Sequence, residues 1–400
     1  MKRTIASVIL CVVASGVLAC GENPVEGPKG NPALAFAADS VALDVGKFAS
    51  VSVTLSNTSD KAQYISRDGS IATVNANGSI GGVSVGTTYI VAALSGNADV
   101  RDSVRVRVNP DTCAIARPDF GVASAEERAL FSYDVNAPLN LVKGVEIANS
   151  VYQQSNISYT SPAGGSVPGI LVEPVGRSGQ RPAIVLLHPS GLNAKNMAGY
   201  AQFLTAKGAV VIAIDAPYWR RTGPSLLLTS QDRVEQIQLM KDLQRAVDVL
   251  RSMPNVDPAR IGFEGYSYGG ILGAQFVGIE KRLKAAVLAA AMGGQVTGMT
   301  TPAGFAVLNN MPCAARNTWF RDMTPIEPIR FIGNAPPTTL LFQAGRTDNA
   351  VLLADAQALY NAAAEPKEFR IYEAGHSLNQ QALDERQAWW SEKLGLDPNQ

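Results

Sequence analysis

The chain has 400 residues, of which 46% are hydrophobic and 17% charged, so it is long enough for two or three domains and can bury a large core. Its 34 Lys and Arg residues balance its 34 Asp and Glu residues. This balance gives no indication of a strongly basic surface, and we therefore expect no nucleic-acid partner.

Residues 1–19 have the pattern of an export signal peptide. Two basic residues precede an apolar run from Ile5 to Ala19, which is shorter than a typical transmembrane helix. The following cysteine completes "VLAC", which resembles the lipobox of bacterial lipoproteins. This resemblance implies an exported protein that touches the membrane of a bacterial cell envelope only through a lipid on Cys20. A plain secretory signal is the alternative. Residues 20–32 are rich in Gly and Pro and are predicted to form a flexible tether.

Residues 33–109 are predicted to form a small all-β domain. Short alternating runs such as "FASVSVTLS" and "DSVRVRVNP" are separated by Gly, Asn, Asp and Ser, which is typical of an antiparallel β-sandwich. The stretch "SIATVNANGSIGGVSVGTTYIVAA" resembles the bacterial Ig-like (group 2) domain, with Gly78, Gly82 and Gly86 on its pattern. The resemblance implies a module that serves as a spacer or contacts cell-surface or polysaccharide material.

Residues 110–400 are predicted to form an α/β domain with a mainly parallel sheet flanked by helices, because runs of strand length alternate with helical patterns. The segments "NISYTSPAGG" and "VPGILVEPV" are predicted to form an opening hairpin. The strands that follow are predicted in "PAIVLLHPSG", "AVVIAIDAP", "IGFEGYS", "KAAVLAAAM", "TTLLFQAG" and "EFRIYEAGH". Helical periodicity covers residues 194–207, 231–252, 350–364 and 378–393.

A nucleophile motif, Gly265-Tyr-Ser-Tyr-Gly269, lies between the predicted strand "IGFEGYS" and a helical run. In this G-x-S-x-G context the strand turns sharply into the helix, and glycine on either side avoids collisions in the turn. The turn presents Ser267 above the sheet, near the helix N-terminus, where backbone N–H groups stabilise developing negative charge. Ser267 is therefore the predicted nucleophile.

A serine nucleophile needs a base, and the chain has only two histidines, His188 and His376. In this architecture the order along the chain is Ser, then Asp or Glu, then His. His376 follows the last predicted strand, whereas His188 precedes the serine. Asp348 lies just past the strand "TTLLFQAG", and the alternative position after the preceding strand, "LAAAMGGQVTG", has no acid. The predicted catalytic triad is Ser267, Asp348 and His376.

These motifs resemble the α/β-hydrolase family, with the closest likeness to dienelactone-hydrolase-like esterases, from about Asn140 to the C-terminus. Dienelactone hydrolases proper have cysteine where this chain has Ser267. The resemblance implies a serine esterase that acts on a small or medium ester without a metal or organic cofactor. It also implies an oxyanion hole formed by the backbone N–H groups of Ser190 and Tyr268, since Pro189 has no N–H to donate. Gly191 is the alternative donor to Ser190.

Four aromatic or imidazole side chains are candidate pocket residues: His188, Tyr218, Trp219 and Trp319. The first three follow strands that end near the predicted site, and Trp319 lies in the crossover segment 295–336, where relatives often build a cap. The alternatives are that His188 orders its own loop and that the crossover helix packs its apolar face into the core.

Two cysteines, Cys113 and Cys313, remain beyond the signal region. In an oxidising compartment two such cysteines are expected to pair, and a disulfide between them is predicted. Two buried thiols are the alternative.

Two other functions are compatible with the chain. Prolyl-oligopeptidase relatives share the fold and the triad and cleave peptides, but they usually carry a large propeller where this chain has a small predicted Ig-like domain. The other is that of a non-catalytic surface adhesion or scaffold protein. The intact predicted triad argues against this hypothesis.

Overall fold

A computed structural model of the protein describes residues 30–111 and 117–397. The described residues divide into two compact units: the first contains residues 30–42, 48–81 and 87–107, and the second contains residues 43–47, 82–86, 108–111 and 117–397. Within the two described ranges, no helix has the length and apolar character needed to cross a membrane. The predicted signal peptide, Cys20 and most of the predicted tether lie outside the described residues.

Residues 33–109 contain strands and no helix, as the alternating pattern predicts. The strands are β1 (Ala33–Phe36), β2 (Ser40–Asp44), β3 (Phe48–Ser50), β4 (Val53–Ser56), β5 (Ala62–Ser66), β6 (Ala72–Val74), β7 (Ser79–Gly82), β8 (Gly86–Leu94) and β9 (Asn97–Asn109). They form sheets with the orders β1-β4, β2-β9-β8-β5 and β3-β7-β6. Leu34, Ala92 and Leu94 are buried together in a small core. The Ig-like identity of this region stays a prediction.

A nine-stranded sheet forms the centre of the second unit, in the order β10-β11-β12-β14-β13-β15-β16-β17-β18. Its strands are β10 (Val142–Ala148), β11 (Tyr152–Thr160), β12 (Ser166–Pro174), β13 (Arg181–Leu187), β14 (Val210–Ile214), β15 (Val256–Tyr266), β16 (Ala285–Ala289), β17 (Thr339–Gly345) and β18 (Lys367–Tyr372). Pairing is antiparallel from β10 to β14 and parallel from β14 to β18. The predicted mainly parallel sheet is confirmed, with β10 as a strand that the sequence did not predict.

Helices flank this sheet on both faces. They are α1 (Ala125–Ala129), α2 (Ala198–Ala206), α3 (Pro217–Arg221), α4 (Gln231–Ser252), α5 (Tyr268–Ile279), α6 (Gln295–Met299), α7 (Pro302–Leu308), α8 (Cys313–Met323), α9 (Leu353–Ala362) and α10 (Gln380–Leu394). Short 3₁₀ helices cover Ala194–Met197, Thr324–Ile326, Pro328–Arg330 and Ile332–Asn334. The four helices predicted from periodicity are confirmed as α2, α4, α9 and α10, with small shifts at their ends.

The two faces of the sheet carry separate hydrophobic cores because successive side chains of a strand point to opposite sides. On β13, Val185 packs into the core that contains residues of α4 and α5, whereas Ile184 packs into the core that contains residues of α2 and α10. Burial on both sides explains why the central strands are almost continuously apolar.

The parallel strands β15, β17 and β18 end at the same edge of the sheet. Ser267, Asp348 and His376 each follow one of these ends. The topology therefore brings three residues that are far apart in the sequence to a single edge.

Candidate active site

Ser267 occupies the sharp turn between β15 and α5. Its backbone is left-handed, with φ of 54° and ψ of −117°, which is unusual for a residue with a side chain. A Cβ atom on Gly265 would overlap the backbone carbonyl of Gly269, and one on Gly269 would overlap the carbonyl of Leu187. The two glycines of the motif are therefore required by close backbone contacts, and they allow the turn that exposes Ser267.

His376 connects Ser267 to Asp348 by two hydrogen bonds. Its Nε2 lies 2.9 Å from Ser267 Oγ, and its Nδ1 lies 2.8 Å from Asp348 Oδ2. A carboxylate can only accept, so Nδ1 carries the hydrogen and Nε2 is free to accept the serine proton. The hydroxyl of Tyr266 donates to the backbone carbonyl of His376 and holds the loop that carries it.

Asp348 is held by its own turn. Its Oδ1 accepts hydrogen bonds from the backbone N–H groups of Ala350 (2.8 Å) and Val351 (2.9 Å), which leaves Oδ2 for His376. The Asp348 side chain is 1% exposed, whereas that of His376 is 31% exposed. The acid is thus fixed and shielded from water, while the imidazole reaches the surface of the cavity.

A buried ion pair lies beneath the site and was not anticipated from the sequence. Glu264, three residues before Ser267, pairs with Arg386 of α10 at 2.7 Å and accepts hydrogen bonds from Trp390 (2.7 Å) and Tyr200 (3.1 Å). Arg386 also donates to the side chain of Gln343 on β17 at 2.7 Å. A charged and a polar residue within the otherwise apolar strands "IGFEGYS" and "TLLFQAG" were the signal that could have indicated this network.

A cavity of about 220 Å³ opens at Ser267 and His376. Its remaining lining residues are mostly apolar: Ser190, Ser225, Leu226, Tyr268, Ile271, Met292, Gly294, Gln295, Gly298, Met299, Ala350 and Val351. The structure thus brings the two predicted oxyanion residues, Ser190 and Tyr268, to the same cavity as Ser267, the predicted nucleophile. Gln295, Gly298 and Met299 come from the predicted crossover segment 295–336.

His188 does not line the cavity, which corrects its prediction as a pocket residue. It is fully buried, and its Nε2 accepts a hydrogen bond from the backbone N–H of Ala216 at 3.1 Å. Its Nδ1 lies 2.8 Å from the carbonyl oxygen of Pro189 and therefore carries the hydrogen. Burial lowers the pKa of His188, so the imidazole is neutral and orders the loop that contains Ser190.

The three predicted aromatic pocket residues also lie outside the cavity lining. Tyr218 is buried, packs edge-on against Tyr268 at 5.2 Å between ring centres, and donates to the carbonyl of Leu192. Trp219 is 38% exposed. Trp319 is fully buried and donates from Nε1 to Asp232 at 2.8 Å. Tyr218 and Trp319 are therefore core residues. The position of Trp319 agrees with the alternative that the crossover helix packs its apolar face into the core.

Cys313, the first residue of α8, is disulfide-bonded. Its predicted partner Cys113 lies outside the described residues. In the part of the chain that the structure describes, no group of three or more His, Cys, Asp or Glu side chains is placed to hold a metal ion.

Comparisons with known proteins agree with this architecture. Residues 196–396 match the model of the prolyl oligopeptidase family. The uncharacterized protein YcjY of Escherichia coli is 37% identical over 109 residues, which are 26% of this chain and 34% of YcjY. The chain aligns with about a third of the length of the curated relatives it matches.

Two solved structures show the fold. Acetyl xylan esterase 1 from Thermoanaerobacterium has a TM-score of 0.59 at 16% identity, covering 69% of this chain and 96% of that one. A prolyl endopeptidase has a TM-score of 0.50 at 17% identity, covering 64% of this chain and 40% of that one. The predicted α/β-hydrolase fold is confirmed by these likenesses together with the mostly parallel sheet.

Proposed function

We propose that this chain, a serine hydrolase that belongs to the prolyl oligopeptidase family, hydrolyses carboxylic esters through an acyl-enzyme. The observation that carries the proposal is the chain of hydrogen bonds from Ser267 Oγ to His376 and on to Asp348, 2.9 Å and 2.8 Å long, at the mouth of a small apolar cavity. A nucleophile, a base and an orienting acid in this geometry are what acyl transfer requires.

In the proposed reaction, Ser267 Oγ attacks the ester carbonyl carbon while its proton passes to His376 Nε2. The tetrahedral intermediate collapses, the bond to the alcohol oxygen breaks, and His376 returns the proton to the leaving alcohol. Water then attacks the acyl-enzyme and gives a proton to His376, which restores it to Ser267 Oγ as the acid leaves. Asp348 holds the imidazole tautomer and stabilises the imidazolium that forms in each half of the reaction.

The backbone N–H groups of Ser190 and Tyr268 are the proposed oxyanion donors. Tyr268 is the first residue of α5, and the N–H groups of a helix's first turn have no partner within the helix. The positive end of the helix dipole adds to their attraction for the oxyanion. The neutral, doubly hydrogen-bonded His188 supports this arrangement by fixing the loop that carries Ser190.

The size and character of the cavity favour a small ester group. A volume of about 220 Å³ lies below the usual range of ligand pockets. The fold match spans 96% of the esterase chain but only 40% of the prolyl endopeptidase chain. The small cavity supports a short-chain preference, and the fuller coverage of the esterase chain supports an esterase.

A serine peptidase is the second candidate, and the match of residues 196–396 to the prolyl oligopeptidase family favours it. Peptidases use the same nucleophile, base and oxyanion donors, so the geometry of the triad does not separate the two reactions. The leaving group distinguishes them, because ester hydrolysis releases an alcohol and peptide hydrolysis releases an amine.

Labelling of the purified protein with a fluorophosphonate probe tests the nucleophile. The wild type is expected to be labelled, and Ser267→Ala and His376→Ala to lose the label. Ser225→Ala is the matched control, because Ser225 also lines the cavity but has no place in the proposed chemistry. Persistent labelling of Ser267→Ala would show that another residue is the nucleophile.

A substrate panel tests the reaction. With p-nitrophenyl esters of increasing acyl length, kcat/KM is expected to be highest for the short acyl chains and to fall as they outgrow the cavity. Chromogenic peptides are expected to react far more slowly. The reverse order would support the peptidase, and no turnover of either class by a protein that the probe does not label would support a non-catalytic role.

A further inference from the structure

Ser190 brings a second hydrogen-bond donor, its hydroxyl group, to the cavity that contains Ser267 and His376. The residue is exposed. Neither its hydroxyl nor its backbone N–H makes a hydrogen bond to any of the residues that the structure describes. A hydroxyl group has one hydrogen to donate and can rotate to direct it. Both donors of Ser190 are therefore available to a molecule bound in the cavity.

A tight turn places Ser190 at its corner. The backbone N–H of Leu192 donates to the carbonyl of Pro189 at 3.4 Å, and Gly191 has φ of 76°. Since the φ of Ser190 is not positive, residues 189–192 have the signs of a type II turn, whose third position favours glycine. The hydrogen bond of such a turn uses the N–H of its last residue, which leaves the N–H of Ser190 free.

Two further hydrogen bonds hold the ends of this turn. His188 donates from Nδ1 to the carbonyl of Pro189 at 2.8 Å, and the hydroxyl of Tyr218 donates to the carbonyl of Leu192 at 3.1 Å. Both of these rings are buried. A donor on a segment that is fixed in advance needs little reorganisation when charge develops beside it. The turn therefore presents Ser190 as a preorganised donor residue.

The hydroxyl and the N–H of Ser190 are close enough to donate to the same oxygen atom. The backbone nitrogen and Oγ of a serine lie about 3 Å apart in a gauche rotamer. An oxyanion has three lone pairs, so it can accept a third hydrogen bond beside those from the N–H groups of Ser190 and Tyr268. Because the cavity lining is mostly apolar, such a bond is stronger there than in water.

We propose that the Ser190 hydroxyl is a third oxyanion donor, which hydrogen-bonds the ester's carbonyl oxygen as that oxygen acquires negative charge. This inference rests on the proposed ester hydrolysis at Ser267. The hydroxyl keeps its proton, since the oxyanion forms and collapses within each half of the reaction. Acylation and deacylation both pass through a tetrahedral oxyanion, so the hydroxyl acts in whichever step limits kcat.

Ser190→Ala tests the proposal, because it removes the hydroxyl and keeps the backbone N–H. For p-nitrophenyl butyrate, kcat is expected to fall by about 10²-fold and KM to change by less than about 3-fold, as for an interaction made only in the transition state. A short-chain alkyl trifluoromethyl ketone adds to Ser267 as a tetrahedral oxyanion, and its affinity is expected to weaken by a similar factor. Urea unfolding is expected to be unchanged because Ser190 is exposed.

Ser225→Ala is the matched control, since it removes a hydroxyl from the same cavity but none of the proposed donors. Its kcat is expected to stay within about 3-fold of the wild type. A kcat of Ser190→Ala within about 5-fold of the wild type overturns the inference. A raised KM with unchanged kcat also overturns it, because the hydroxyl would then bind the substrate and its transition state equally. Both results leave the proposed ester hydrolysis intact, whereas a wild type that hydrolyses no ester overturns that function as well.

Discussion

Replacement of Glu327 by glutamine is expected to remove a pH-dependent contribution to the stability of the second compact unit. Glu327 is 1% exposed and accepts hydrogen bonds from the backbone of Val296 and from the backbone and hydroxyl of Thr297. Burial raises the pKa of this carboxyl group from 4.5 to about 7, against the lowering effect of these donors and of Arg117.

The direction of the pH dependence follows from which state of the protein, folded or unfolded, binds the Glu327 proton more tightly. Between pH 4.5 and about 7 the folded protein holds the Glu327 proton and the unfolded chain does not, which favours folding. The contribution is complete below pH 4.5 and is lost as the pH rises through about 7. Over this span of about 2.5 pH units, at about 1.36 kcal/mol for each, the free energy of unfolding falls by about 3 kcal/mol.

Urea unfolding followed by tryptophan fluorescence measures the second unit alone, because all of the chain's tryptophans belong to it: Trp219, Trp319, Trp389 and Trp390. The free energy of unfolding of the wild type, minus that of Glu327→Gln, is expected to decrease by about 3 kcal/mol from about pH 4.5 to about pH 7.5. Burial lowers the pKa of His188, which has the opposite effect, but this contribution is common to both proteins and cancels.

The matched control is Glu126→Gln, the same chemical change at an exposed position of α1. Its free energy of unfolding should follow that of the wild type at every pH. If the curves of the wild type and Glu327→Gln were parallel between about pH 4.5 and 7.5, the carboxyl group would not titrate in this range and the argument would be refuted.

Two further replacements test the site and the network beneath it. Asp348→Asn is expected to lower kcat for p-nitrophenyl esters by about 10⁴-fold with little change in folding, because the amide favours the wrong imidazole tautomer. Arg386→Met leaves Glu264 buried without its cation and is expected to cost about 3–5 kcal/mol in urea unfolding, most of which the double variant Glu264→Gln/Arg386→Met should recover. An equal loss of stability in the single and double variants would contradict the ion-pair explanation.

Much of the sheet could be predicted from the sequence because its central strands are short apolar runs with helical patterns between them. The meeting of Ser267, Asp348 and His376 could also be predicted, since each follows a parallel strand and such strands end at one edge. Strand β10 was missed for a physical reason. It is an exposed strand at the edge of the sheet, with a register shift between Val145 and Ile147 that breaks the regular alternation.

The lining of the cavity could not be predicted, because an apolar side chain suits the core and a pocket equally well. Trp319 is an example, because its helix would be amphipathic whether the indole lined a pocket or packed in the core. Its indole lies in the core, where it donates to Asp232, 87 residues earlier in the sequence. A charged residue in an apolar strand marks Glu264 as unusual, but nothing in the sequence identifies Arg386, 122 residues later, as its partner. Such contacts depend on how the helices pack on the sheet, which composition and periodicity do not specify.

The strands that carry Ser267 and Asp348 are connected both by the backbone ladder and by side chains. The backbone N–H of Ser267 donates to the backbone carbonyl of Ala289 at 2.9 Å. The backbone N–H of Ala290 donates to the backbone carbonyl of Gln343 at 2.8 Å, so hydrogen bonds link the ends of three neighbouring strands. Arg386 then joins the side chains of Gln343 and Glu264 from the helix side. Because a buried ion pair adds little net stability compared with an apolar packing, we infer that this network serves mainly to keep the ends of β15 and β17 in one relative position, as the bonds between Ser267, His376 and Asp348 require.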